Sequence, residues 1–307
     1  MNKLIVPESL KPGDRVALIA PSGPLPEGRL EKAVRAVENM GLVPAVYPSV
    51  RSRHGYLAGG DELRAADVGN AFADPTVRGV LCARGGYGAQ RLHKLIDWEA
   101  VRRNPKVFLG YSDVTYLHAM MNQWFVTYHA PMPSTEWYHG LDDYTARWVR
   151  TALFGGTWGE LPNCAGRARR TVAPGRAAGR LVGGNLSLVS SALGTPYALD
   201  ARDAILFLED VGEQPYRIDG MLNHLVQSGA LDGCRGVILG YFTDCAAEKP
   251  AESLTLRQVF DELLGKLGIP VLSGVTCGHE EPTLSLPLGR MCELDADKQT
   301  IRIMEEN

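Results

Sequence analysis

The chain has 307 residues, with 32 Lys and Arg against 35 Asp and Glu for a net charge of −3, and with 45% hydrophobic and 22% charged residues. That balance is ordinary for a globular protein and excludes a mainly disordered chain, a coiled coil or a collagen-like repeat, while the length fits one large or two medium domains. No basic excess supports nucleic-acid binding, and no apolar run approaches the ~20 residues that cross a bilayer.

The start, MNKLIVPESLKPGD, offers only Leu4-Ile5-Val6 before Pro7. That is too short for the apolar region of a secretory signal, so a cytoplasmic location is expected. The first half then alternates short apolar runs with helical patterns. Val16–Ala20 reads as a buried strand ended by Pro21-Ser22-Gly23-Pro24. Leu30, Ala33, Val34 and Val37 follow at helical spacing, with Gly41 as a stop. Val43–Tyr47 is a second strand, 61–73 a helix, and Gly79–Ala83 and Val107–Leu109 are further strands bounded by Gly. Such alternation implies a parallel sheet covered by helices, with ligands beyond the C-terminal ends of its strands. A break follows at 138–178, with a polar patch, Gly155-Gly156 and an arginine-rich run from Arg167 to Arg176. This stretch reads as an inter-domain linker that also wraps one of the domains.

The second half is richer in strands: Ala204–Leu208, Val237–Leu239, Val271-Leu272, and an alternating tail around Asp297-Lys298 that signals a hairpin. Two helices carry apolar stripes, Ile218/Met221/Leu222/Leu225/Val226 closed by Gly229, and Leu256/Val259/Phe260/Leu263/Leu264/Leu267 closed by Gly268. Cys82, Cys164, Cys234, Cys245, Cys277 and Cys292 form no C-x-x-C pair, and the histidines show no H-x-x-x-H spacing. Free thiols in a reducing compartment, and neither a zinc site nor a cofactor, are therefore expected.

Three segments carry chemistry. In Val107-Phe108-Leu109-Gly110-Tyr111-Ser112-Asp113 a strand runs into a serine at the start of a helix. A serine on such a turn is exposed at the sheet edge, and the next residue's amide points at a developing oxyanion. The same serine would equally serve as a helix N-cap. Arg84-Gly85-Gly86-Tyr87-Gly88 follows another strand, and its glycines let the backbone approach a ligand. The pattern matches neither G-x-G-x-x-G nor a P-loop. Arg84 reads as a substrate anchor or a surface residue. Finally, Glu209-Asp210-Val211-Gly212-Glu213 ends a buried strand in carboxylates, and Gly278-His279-Glu280-Glu281-Pro282 puts a histidine in a loop. Serine, histidine and strand-end carboxylate complete a nucleophile, base and orienter set.

These residues, with Gly183-Gly184-Asn185-Leu186, Pro215-Tyr216-Arg217 and Leu286-Pro287-Leu288-Gly289, resemble the LD-carboxypeptidases. Those are murein tetrapeptide carboxypeptidases of bacterial cell-wall recycling, a family that also includes the microcin C self-immunity peptidases. The resemblance runs from about Val16 to Leu294. It implies an α/β fold in two domains: an N-terminal nucleophile domain over 1–137, similar to class I glutamine amidotransferases, and a strand-rich C-terminal α/β domain over 179–307. It further implies a cytosolic, metal-independent homodimer.

On the matching positions, Ser112 is the nucleophile, His279 the base and Glu209 the orienting acid, with Glu213 as the alternative acid. The backbone amides of Gly86 and Asp113 form the oxyanion hole, and Arg84, Gly85 and Tyr111 are the substrate-binding candidates. The resemblance implies release of D-alanine from murein tetrapeptide through an acyl-enzyme. Two other functions remain open. A microcin-type peptidase would need an aromatic shelf, for which Trp137 or Tyr138 is available. A non-catalytic murein-fragment binder would have no need of Ser112. Two acids beside His279 depart from the family pattern.

Overall fold

A computed structural model describes residues 4–305. The chain divides into two units, Met1–Gly156 with Ser285–Pro287 and Thr157–Leu284 with Leu288–Asn307. The first alternates β1 (Arg15–Ile19), α1 (Leu30–Asn39), β2 (Val43–Val46), α2 (Asp61–Ala73), β3 (Gly79–Cys82), α3 (Trp98–Arg103), β4 (Val107–Gly110), α4 (Thr115–Met121) and β5 (Thr127–His129). Val16–Ile19, Val80–Cys82 and Val107–Leu109 are fully buried apolar runs, as strands covered on both faces require.

The order is β2-β1-β3-β4-β5, and its registered pairs are parallel. Because β1 lies between β2 and β3, the chain leaves β1 toward one edge and returns to its other side. A crevice opens where the order reverses, at the C-terminal ends of β1 and β3. The segments emerging there are Pro21–Gly23 and Arg84–Gly88. β4 lies next to β3 and ends at Gly110, two residues before Ser112.

The stretch 138–178 differs from a plain linker. It begins with α5 (Asp143–Phe154), which closes the first unit. The Asp142 carboxylate accepts from the amides of Tyr144 at 3.0 Å and Thr145 at 3.1 Å and so starts that helix. The second unit then opens with β6 (Gly159–Glu160) and β7 (Arg170–Ala173). The arginine run is spent on the fold rather than on solvent. Arg169 donates to the carbonyls of Leu161 and Gln299, Arg170 pairs with Asp261, and Arg176 pairs with Glu293.

The second unit continues with β8 (Arg176–Asn185), α6 (Leu186–Ser191), β9 (Ala204–Val211), α7 (Pro215–Gln227), β10 (Gly236–Thr243), α8 (Leu256–Leu263) and β11 (Val271–Ser273), then β12 (Leu286–Leu288), β13 (Met291–Asp295) and β14 (Thr300–Ile303). Its sheet runs β6-β14-β13-β8-β9-β10-β11-β7. The central β8-β9-β10-β11 are parallel and in chain order, whereas the flanking pairs are antiparallel. One helix follows each of the first three parallel strands. Leu186, Val189, Ile218, Leu222, Leu225, Val259 and Phe260 pack in one cluster with Leu206, Leu208, Val237, Leu239 and Val271. The tail hairpin forms as its alternation predicts, with Asp295 opposite Thr300. β12 belongs elsewhere: it joins the first sheet at the edge beside β5. All six cysteines are free, five of them buried. Among the described residues no helix is long and apolar enough to cross a membrane, and no three His, Cys, Asp or Glu side chains gather to hold a metal ion.

Candidate active site

In the first unit the candidate nucleophile lies just beyond β4. Tyr111 is extended and Ser112 then turns into the left-handed region, with φ 64, before the chain enters α4. For a residue with a Cβ that conformation costs about 1–2 kcal/mol. Strain of this kind is held in place by its surroundings. Here the surroundings are tight. A Cβ on Gly85 would lie 2.9 Å from Ser112 Cβ and 3.1 Å from its Oγ, so only glycine lets the neighbouring loop pass the serine this closely. Helix capping does not account for Ser112, since the residue preceding α4 is Val114 and it carries no side-chain capping bond.

The Arg84–Gly88 loop is pinned from the β1 side. The Gly23 amide donates to the Gly85 carbonyl at 3.0 Å, and Arg84 donates to the Pro24 carbonyl at 2.7 Å. Arg84 therefore joins two loops of its own unit. Gly86 adopts φ 112, open to glycine alone, and a Cβ there would lie 3.1 Å from Gly23 Cα. Tyr111 turns its phenol to Glu136 at 2.7 Å. Trp137 is buried, with its indole N–H on the Pro131 carbonyl at 2.9 Å, and the Arg29 guanidinium lies 3.5 Å above the Tyr138 ring. Neither ring is a bare shelf.

The second unit supplies the acid and the histidine. Along β9 the pleat alternates. Leu206 and Leu208 join the helix-covered core, which puts Phe207 and Glu209 on the opposite face. The Glu209 side chain is fully buried and its Oε2 lies 2.6 Å from His279 Nδ1. Burial raises its pKa, while the imidazole and then the Asn185 amide act in the opposite direction. When ionised the carboxylate only accepts, and the ring proton then sits on Nδ1 with Nε2 the basic nitrogen. Gly278 makes the approach possible, because a Cβ there, at φ 137, would lie 3.0 Å from Glu209 Oε2.

The next residue, Asp210, points the other way. It accepts from the Ser187 amide at 2.9 Å and the Ser187 hydroxyl at 2.8 Å, at the start of α6, and from Asn185 Nδ2 at 3.0 Å. The two adjacent acids share Asn185 but otherwise have different partners, because successive strand residues face opposite ways. Glu213, beyond the strand, pairs with Arg217 one helical turn on. Glu280 pairs with Arg167, whose guanidinium also lies 5.3 Å from the Tyr241 ring centroid. That gives the acid beside the histidine a partner within the fold.

Profiles of known families match both parts of the chain: the LD-carboxypeptidase N-terminal domain over residues 16–130 and the LD-carboxypeptidase C-terminal domain over residues 178–294. The chain belongs to the LD-carboxypeptidase family. This is a family of serine-type carboxypeptidases. A putative carboxypeptidase of Streptomyces coelicolor is 44% identical, over 99% of this chain and 97% of its own length. A probable murein peptide carboxypeptidase of Bacillus subtilis is 40% identical, over 96% and 92%. Among solved structures, that of the self-immunity protein MccF in complex with glutamyl sulfamoyl guanosine shares the fold, with a TM-score of 0.89 at 22% identity over 98% of each chain.

Proposed function

We propose that this enzyme is a serine carboxypeptidase acting on murein peptides, and that it releases the terminal D-alanine of the tetrapeptide. The observation that carries this reading is the histidine held at 2.6 Å on a fully buried carboxylate. A strained serine at a strand-to-helix turn and membership of the family support it. In the proposed mechanism Ser112 Oγ attacks the carbonyl of the third residue, the L-centre of meso-diaminopimelate or of lysine. His279 Nε2 takes the serine proton and later passes it to the departing amine of D-alanine. Glu209 holds the tautomer and stabilises the imidazolium. The amides of Gly86 and Asp113 receive the oxyanion, a role in which one lost donor typically costs ~10²–10³ in rate. Water then hydrolyses the acyl-enzyme.

The test pairs L-Ala-γ-D-Glu-meso-diaminopimelate-D-Ala with the same peptide ending in L-Ala, with products read by mass spectrometry. Inverting the leaving residue exchanges its methyl and hydrogen. Either the methyl then meets the pocket wall or the carboxylate loses its partner, so kcat/KM should differ by at least about 10²-fold. Comparable rates on the two peptides, or no release of D-alanine, would overturn the reading.

A further inference from the structure

Ser112 is followed by an acid whose side chain has no part in that mechanism. The Asp113 side chain is buried, at 1% exposure, and its Oδ2 accepts the Ala89 amide at 2.8 Å. Ala89 directly follows Gly88, the last residue of the glycine loop. The neighbouring Arg64, at 0% exposure on α2, grips the same loop from its other side. Its Nη1 donates to the Gly88 carbonyl at 3.0 Å and to the carbonyl of Pro21, while Nη2 pairs with Asp61. Gly88 fits against it so closely that a Cβ there would lie 2.9 Å from Nη1. The Ser22 carbonyl in turn accepts the Ala58 amide at 2.9 Å, and the Gly23 amide holds the Gly85 carbonyl.

Three backbone segments are therefore fastened by two buried ionic side chains: the turn after β1, the glycine loop after β3 and the serine turn after β4. Burying a guanidinium and a carboxylate beside small loops is costly unless each is paired. Core packing alone would be met more cheaply by apolar residues. What the charged groups add is direction, since a guanidinium fork fixes two carbonyls in one plane and a carboxylate fixes an amide. The amide at stake is that of Gly86, between the Gly85 carbonyl held by Gly23 and the Gly88 carbonyl held by Arg64.

We propose that Arg64 and the Asp113 carboxylate are positioning residues that hold the Gly85–Gly88 backbone against Ser112, so that the oxyanion-binding amides are aligned before substrate arrives. The inference rests on the proposed acyl-transfer reaction and deepens it. Preorganised donors stabilise the transition state more than the bound substrate. Asp113→Ala keeps the residue's own amide but releases Ala89, and Arg64→Lys keeps the charge but loses the fork. Each should lower kcat about 10–100-fold with KM changed less than about threefold. Affinity for a peptide boronate, which mimics the tetrahedral oxyanion, should fall by the same factor, while affinity for the tripeptide product should not. Asp113→Asn retains an acceptor for Ala89 and should recover most of kcat.

Folded variants with unchanged kcat, or with the loss confined to KM, would overturn the assignment. Should Asp113→Ala and Arg64→Lys not fold, hydrogen exchange on the wild-type protein decides. The Ala89 amide should exchange as slowly as those of β3 and β4, and exchange as fast as in an exposed loop would refute the clamp. Wild-type protein inactive on the tetrapeptide would refute the reaction instead, and the exchange measurement would still judge the clamp.

Discussion

The two units hold the proposed catalytic groups by different means. In the first, the hydroxyl of Ser112 is presented by backbone geometry: a left-handed residue at the end of a parallel strand, with glycine on the facing loop where any side chain would collide. In the second, His279 is prepared by electrostatics, its Nδ1 against a carboxylate that has lost all contact with water. Close backbone packing holds the one and a buried hydrogen bond the other. The comparison teaches that both arrangements need partners distant in sequence, Gly85 on the facing loop for Ser112 and a carboxylate 70 positions away for His279.

The largest effect expected is at the strained position. Ser112→Ala and Ser112→Gly should each lower kcat on the murein tetrapeptide by on the order of 10⁴–10⁶ while the protein stays folded. Because the Ser112 backbone is left-handed, the two should differ in stability. Glycine relieves the left-handed backbone and should melt a few degrees above alanine, from a difference of about 1 kcal/mol. Equal melting temperatures would remove strain from the account, and more than about a tenth of wild-type turnover in either variant would remove the nucleophile.

Glu209→Gln tests the other arrangement. The amide preserves the shape and one acceptor but loses the charge that stabilises an imidazolium, so kcat should fall about 10²–10⁴-fold. Stability should change little or rise, because a buried charge has been removed. Glu213→Gln, which breaks only the pair with Arg217, should leave kcat nearly unchanged, and the opposite ranking of the two variants would transfer the orienting role to Glu213.

The smallest effect concerns acid. The first unit buries a histidine without a carboxylate: His118 spans Thr127 Oγ1 at 2.8 Å and the Gly110 carbonyl at 2.9 Å, and burial lowers its pKa to about 4. The unfolded chain takes up that proton near pH 6.5 and the folded one does not. The resulting stability is therefore complete above about pH 6.5 and is lost as pH falls toward 4, by up to about 3 kcal/mol. Calorimetry across that window should show a flatter acid limb for His118→Gln, and an identical limb would refute the assignment.

Much of this was legible in the sequence. Unbroken runs such as Val16–Ile19 read as covered strands because both faces of the first sheet are apolar, and the stripe through Ile218, Leu222 and Leu225 read as core for the matching reason. Ser112, the glycine loop and His279 stood out because each follows a strand, where ligands gather, and Glu209 because it is a carboxylate near the end of a buried one. Sequence spacing could not reveal that Arg64 and Asp113 fasten the glycine loop. A buried arginine in the first turn of a helix shows in the sequence only its pair with Asp61, and the two carbonyls it grips lie 43 and 24 residues away. Nor could it show the arginine run as strand and ion pairs, since Asp261, Glu280 and Glu293 are distant in the chain.

The short strand β12 constrains how such an enzyme can be divided. It lies late in the sequence, after His279, yet it completes an edge of the sheet that begins with β1. Neither unit is thus one uninterrupted piece of chain. A gene cut once between residues 156 and 157 would encode a first half missing a strand and a second half carrying it unpaired. The two units can be inherited, expressed or engineered as one reading frame, but a single crossover cannot shuffle them independently.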